Sequence, residues 1–231
     1  RRDIENSIIP NFIKIIGPYA FNKCLKLQRI EIPTDSRLEI INKYSFSFST
    51  LETFNIPPHV TQIREGAFCY CCKLQHFVIH PDTNHQSIDM LSFNNTSIES
   101  IDIPYQTTKI CENAFFQCKN LKKVRFPPNS NLKIIEKCAF NDTLIENISI
   151  PSGFVEFQDG WCDGMSKLNK IELMPKNQNF SLCENNKILV GKSNPLNDEF
   201  NVLVFAVRDI KKAIIPNFIK KILTHFSNAL N

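Results

Sequence analysis

The chain has 231 residues, a net charge of +4, 42% hydrophobic and 22% charged residues, the balance of an ordinary folded protein. So small a positive charge does not point to nucleic acid. No run approaches the roughly 20 apolar residues of a membrane span, and no charged-then-apolar leader stands at the first residues; a surface protein would then carry its export signal and anchor outside this segment.

In chain order the first signal is a proline clock. Counted from Pro10, Ile-Pro or its equivalent returns at Pro33, Pro57, Pro104, Pro127 and Pro151, with gaps of 23, 24, 47, 23 and 24 residues. The gap of 47 is a double step, because His80 stands where proline is expected, as Met174 does one step after Pro151. Fixed periods of this size mean stacked repeats.

The first period, residues 9–33, has apolar marks at Ile13, Ile16, Ala20, Phe21, Cys24, Leu27, Ile30 and Ile32. They recur after Pro57 as Val60, Ile63, Ala67, Phe68, Cys71, Leu74, Phe77 and Ile79, and after Pro104 as Thr107, Ile110, Ala114, Phe115, Cys118, Leu121, Val124 and Phe126. Alternate coils are one residue longer and lose the cysteine: Leu38, Ile41, Ser45, Phe46, Leu51, Phe54 and Ile56, then Leu132, Ile135, Ala139, Phe140, Ile145, Ile148 and Ile150. The repeating unit is thus a pair of 47 residues.

Within each coil, Leu-x-x-Ile-x-Ile ends in strict alternation, which predicts a short strand with one face inward and stopped by the proline. The stretch Pro18–Cys24, apolar at Ala20, Phe21 and Cys24, has helical spacing and predicts one short helix per coil, opposite the strand. Seven or eight apolar side chains cannot offset the ordering of 23 residues, so a coil folds only when stacked.

Ile-x-Ile-Pro followed by Ala-Phe-x-x-Cys-x-x-Leu resembles the leucine-rich repeat of BspA-like surface antigens, over essentially the whole chain. That resemblance implies a leucine-rich repeat solenoid on a cell surface or outside the cell, with no catalytic centre and no cofactor, binding a protein or glycan on host or neighbouring cells. The matching residues are scaffold positions, so they carry the fold; the function comes only by association.

Two coils depart from the pattern. The coil from His80 has His85 where leucine is expected and should be the least stable. After Pro151, Ala-Phe becomes Trp161-Cys162, large and small residues exchanged, with Met165 in place of cysteine.

The solenoid is expected over residues 1–175, about seven coils. Residues 176–213 read as a β-rich island, with strand-like runs at Phe180–Leu182, Lys187–Val190 and Val202–Ala206 between polar turns; such islands resemble those of the same family. Residues 214–231 start the next repeat block. Residues 2–14 match residues 208–220 at ten of thirteen positions, a second period of 206 residues. The chain therefore reads as one segment of a longer array whose ends expose apolar surface that the full protein covers.

Cys24, Cys71 and Cys118 share a column two coils apart, about 9 to 10 Å at the usual strand spacing, too far for a disulfide; they read as small buried hydrophobes. Cys69, Cys71 and Cys72 lie near His59, His76 and His80, but C-x-C-C is not the spacing of a zinc knuckle, and no charged neighbour marks an activated thiol. No metal site and no catalytic residue is assigned.

A binding site, if present, belongs on the strand face, where outward side chains align. One column is Arg29, Thr53, His76, Ser100, Lys123, Asn147 and Lys170; the other is Glu31, Asn55, Val78, Asp102, Arg125, Ser149 and Glu172. The columns are polar, mixed in charge and free of the aromatics that dominate hot spots, so a broadly adaptable face and a merely solvated one both stay open. Lys119, Lys122, Lys123 and Arg125 form the one local basic cluster; such a run more often serves solubility, and its other reading is a meeting point for an acidic glycan. Glycosylation sequons stand at Asn94, Asn95, Asn141, Asn147 and Asn179, and a glycan on Asn147 would obstruct the strand face. Two functions fit: a ligand-binding adhesion segment, or a structural spacer with no ligand of its own.

Overall fold

The structure, a computed structural model, describes residues 5–193, 198–207 and 215–223. The stretch 208–214 of the internal match, and residues 1–4 and 224–231, lie outside the described residues. Each coil contributes two parallel strands rather than one. The longer strands are β1 (Asn6–Ile8), β3 (Arg29–Glu31), β5 (Thr53–Ile56), β7 (His76–Ile79), β9 (Ser100–Asp102), β11 (Lys123–Arg125), β13 (Asn147–Ile150) and β15 (Lys170–Leu173). A second ladder of two-residue strands alternates with them: β2 (Ile15–Ile16), β4 (Ile40–Ile41), β6 (Gln62–Ile63), β8 (Ser87–Ile88), β10 (Lys109–Ile110), β12 (Ile134–Ile135) and β14 (Glu156–Phe157). Pairing is parallel with one coil per step, Thr53 opposite His76 and Asn147 opposite Lys170 in the longer ladder, Ile40 opposite Gln62 in the shorter.

The helix expected at Pro18–Cys24 and its equivalents is corrected: the described residues contain none. The segment is a run of tight turns in which a residue adopts positive φ every fourth position, as at Tyr19 and Lys23, Tyr44 and Phe48, Gly66 and Tyr70, Leu91 and Asn95, and Asn113 and Gln117. Left-handed residues break an α-helix. The donors then divide in two. The N–H groups of Tyr19, Phe21 and Lys23 reach Lys43, Ser45 and Ser47 of the next coil, while those of Ala20, Asn22 and Cys24 close turns onto Gly17, Tyr19 and Phe21. A helix this short has a costly nucleus and would keep its donors to itself; the turn ladder spends half of them joining coils. The inward spacing seen at Ala67, Phe68 and Cys71 serves both geometries, which is why periodicity misread it.

The core runs along the stack. Phe21, Phe46, Phe68, Phe93, Phe115 and Phe140 stack ring on ring, neighbouring centroids 5.1 to 5.8 Å apart and planes within 10°. Phe54 and Phe77 close on this column edge-on. At the exchanged coil Trp161 takes the alanine column, since Phe140 N–H bonds to its carbonyl as Phe115 N–H does to that of Ala139. Its indole stacks on Phe157 at 4.1 Å and reaches Phe205 at 6.2 Å, carrying the aromatic core into the island.

The cysteine column is filled in every coil. Ser49, Thr96 and Thr143 occupy it where the cysteine is lost, all buried. Cys71 Sγ donates to the Phe46 carbonyl at 3.1 Å and lies 3.4 Å from Ser49 Oγ; Cys118 Sγ donates to the Phe93 carbonyl at 2.9 Å and lies 3.3 Å from Thr96 Oγ1. Thr143 Oγ1 donates to the Phe140 carbonyl, while Ser49 and Thr96 each meet the sulfur of the following coil, so the small polar groups of this column are buried with partners.

The coil from His80 keeps the same path with a polar interior. Thr83 Oγ1 donates to the His80 carbonyl, and Thr107 Oγ1 of the next coil to the His85 carbonyl. His85 itself is 1% exposed, and neither ring nitrogen has a hydrogen-bond partner. Burial alone pushes its pKa down to about 4, so the ring is neutral at physiological pH.

The island is an antiparallel sheet of β16 (Phe180–Cys183), β17 (Ile188–Gly191) and β18 (Val202–Ala206), irregular between Leu189 and Val190. On the free edge of β18 lies β19 (Lys221–Ile222), in parallel. The pairing thus reverts from antiparallel to the solenoid's own mode.

Candidate binding face

Alternation along the longer strands creates the face. Phe54, Ile56, Phe77, Ile79, Ile101, Val124, Ile148, Ile150 and Ile171 point inward and are buried, so their neighbours must point out. The registers place Thr53 beside His76, Ser100 beside Lys123, and Asn147 beside Lys123 and Lys170. The second column sets Asn55 against Val78, Asp102 against Arg125, and Ser149 against Glu172. Arg29 and Glu31 stand on β3, paired with Asn6 and Ile8. Val78, 55% exposed, is the one large apolar side chain of the two columns.

Much of the charge is paired within the face. Arg125 Nη1 meets Asp102 Oδ1 at 3.0 Å, Lys170 Nζ meets Glu172 Oε1 at 2.6 Å, and Ser149 Oγ donates to Glu172 Oε2 at 3.1 Å. The bonds from Lys170 and Ser149 hold the Glu172 carboxyl below its ordinary range. Of the basic cluster, Arg125 is therefore engaged with Asp102, while Lys119, Lys122 and Lys123 are exposed.

The face ends against the island. Ser149, Lys170, Glu172, Leu173 and Met174 line an open depression of about 700 Å³ whose far wall is Leu182 and Asn186 of the island hairpin. Nothing in the repeat pattern announces this depression, because it arises where β15 gives way to β16. A second shallow groove, of about 830 Å³, runs along the short-strand side past Lys43, Arg64, Glu65, Asp89 and Met90.

The sequon residues differ in setting. Asn147 is exposed in its column, Asn95 and Asn141 are half-buried, and Asn179 donates from its amide to the Phe154 carbonyl at 2.7 Å. Asn94 is 5% exposed and accepts bonds from Cys69 Sγ and Asn95 Nδ2, so a glycan there would require the turn ladder to open.

All nine cysteines fall among the described residues, and none forms a disulfide. Burial pushes the thiols of Cys69 and Cys71 up to about 12 and those of Cys111 and Cys118 up to about 11, which holds them protonated and poorly nucleophilic. Cys72 is exposed and donates to the Tyr70 carbonyl, whereas Cys71 points into the core, so the C-x-C-C sulfurs diverge. Among the described residues no group of three His, Cys, Asp or Glu side chains is placed to hold a metal ion.

The profile of the BspA type leucine rich repeat region matches in six copies, over residues 1–99 and 86–189. A leucine-rich repeat protein of Bacteroides ovatus is 25% identical with a TM-score of 0.57, the match covering 74% of this chain and 51% of that one. The pneumococcal vaccine antigen PcpA is 16% identical with a TM-score of 0.68, covering 96% and 52%. A leucine-rich cell surface protein of Faecalibacterium prausnitzii is 20% identical with a TM-score of 0.69, covering 94% and 59%. The last two likenesses concern the fold alone. The chain spans 51%, 52% and 59% of these structures' lengths. No curated protein matches the sequence significantly.

Proposed function

We propose, on the premise that the chain belongs to the BspA-type leucine-rich repeat family, that it is a non-enzymatic segment of a cell-surface protein that binds a protein or glycan on a host or neighbouring cell through its longer-strand face. The observation that carries this reading is the pair of in-register outward columns running into the depression at the island. A stack of such coils offers many weak contacts at once, which is how a face without aromatics gains avidity. Placement at the cell surface is supported by the cell surface protein of F. prausnitzii that shares the fold. No described helix is long and apolar enough to cross a membrane.

The test is retention of cells and matrix components on the immobilised segment. Replacing Asn55, Ser100 and Asn147 by arginine, which leaves the core untouched, should abolish it. For an acidic glycan, heparin retention should fall when Lys122, Lys123 and Arg125 become alanine; unchanged retention removes that ligand class. The alternative, a spacer that carries another region outward, is favoured by one observation: Arg125, Asp102, Lys170 and Glu172 already satisfy one another. Absence of any binding by the segment would select it.

A further inference from the structure

The aromatic residues that dominate binding hot spots are missing from the longer-strand face but stand on the turn ladder. One outward column of positive φ there reads Lys23, Phe48, Tyr70, Asn95, Gln117, Asp142 and Gly164. Asparagine, aspartate and glycine tolerate that conformation, whereas a bulky ring in it is strained. The column nevertheless sets rings on two consecutive coils. They lie flat on each other, centroids 4.6 Å apart and planes within 2°, and Phe48 is 42% and Tyr70 41% exposed.

This exposure is lateral, because the rungs on both sides are present: the N–H groups of Lys23, Phe48 and Tyr70 reach the carbonyls of Ser47, Cys69 and Asn94 in unbroken succession. No neighbouring coil is missing from it. Stacking offsets part of the strain, but an asparagine would carry none, so strained rings kept at the surface point to a use outside the fold.

The chemistry around the rings selects the partner. Phe48 and Tyr70 cover each other's facing sides, which leaves no ring face between them for a sugar to stack on; the ring edges that meet solvent are electropositive. Of the charged side chains on these turns, Lys43 pairs with Glu65, Arg64 bonds to Gln62, and Asp89 accepts from Ser87. Lys23 and Lys73 are exposed and, among the described residues, make no ion pair. We propose that Phe48 and Tyr70, with Lys23 and Lys73, form a docking site for an acidic segment of a partner protein, which lays an aliphatic side chain on the ring edges and its carboxylates on the two lysines. The site is independent of what the longer-strand face binds.

Random decapeptides displayed on phage and panned on the immobilised chain supply the probe. Enriched peptides should be acidic with an aliphatic residue, and should bind Phe48→Asn and Tyr70→Asn at least about tenfold more weakly. Asn95 holds the same φ, so both variants should keep or raise the urea midpoint, which separates a lost contact from a lost fold. If the midpoint drops instead, Lys23→Glu combined with Lys73→Glu probes the same contact from solvated side chains and should weaken binding as much. Bound peptide should also shield Cys72, whose exposed thiol donates to the Tyr70 carbonyl, from a thiol reagent. Asn55→Arg, Ser100→Arg and Asn147→Arg on the longer-strand face should change nothing. Failure to enrich any peptide would overturn the proposal, as would neutral or basic peptides, peptides that bind the ring and lysine variants undiminished, peptides that leave Cys72 reactive, or ring-dependent capture of a glycan from an array in their place.

Discussion

Replacing His85 by leucine should both stabilise the protein and flatten its response to mild acid. The imidazole is 1% exposed with two unpartnered nitrogens, in a column that holds Leu38 and Leu132 in the corresponding longer coils. The fold holds the neutral ring, whose pKa is about 4 against an ordinary 6.5. Between those values the unfolded chain binds a proton that the folded chain refuses. Stability is therefore full above pH 6.5 and falls as the pH drops toward 4. The shift corresponds to about 3 kcal/mol in all, of which about 2 kcal/mol is gone by pH 5. At neutral pH the leucine also removes an orphaned polar group, a gain of about 1–3 kcal/mol. Urea unfolding of both proteins from pH 7.5 to 4.5 measures this, because the other four histidines are common to both and cancel in the difference. Parallel curves, or a less stable His85→Leu protein at neutral pH, would refute the reasoning.

Phe115→Ala opens the middle of the ring column between Phe93 and Phe140 and should cost about 3–5 kcal/mol, read as a lower urea midpoint. Gly66→Ala places a Cβ on the Tyr44 ring at a residue with φ of +61°; since Tyr44 Oη donates to Glu65 at 2.8 Å, the ring cannot simply leave, and a loss of about 1–2 kcal/mol is expected from the backbone alone. In native protein a thiol reagent should label Cys72 first and leave Cys24, Cys69, Cys71, Cys111 and Cys118 untouched until denaturant is added; mass spectrometry reads the order.

The coil period was legible because a proline must stop each strand and a core column must refill with something apolar, so Pro10, Pro33 and Phe21, Phe46 keep time whatever lies between. The turn ladder was not. Its own signal is an Asn, Asp or Gly every fourth residue, as at Asn113, Gly160 and Gly164, since those types tolerate positive φ. In the first coils Tyr19, Tyr44, Phe48 and Tyr70 occupy the same positions and hide it. Two-residue strands such as Ile15–Ile16 are too short to show alternation. Ser49 and Thr96 could not be placed beside the sulfurs of Cys71 and Cys118 until the turns fixed how successive coils align. The outward columns were readable because β-strand period and coil length together fix register. The depression beside Leu182 depends on how the island seats on β15, which no local pattern encodes.

The stacking of one coil per rung is tested most directly by distances along a single outward column. Spin labels on unnatural residues at Arg29 and His76, Arg29 and Lys123, and Arg29 and Lys170 are separated by two, four and six coils. The account predicts separations that grow linearly by about 4.8 Å per coil, near 10, 19 and 29 Å. Distances that fail to increase in that order would contradict it.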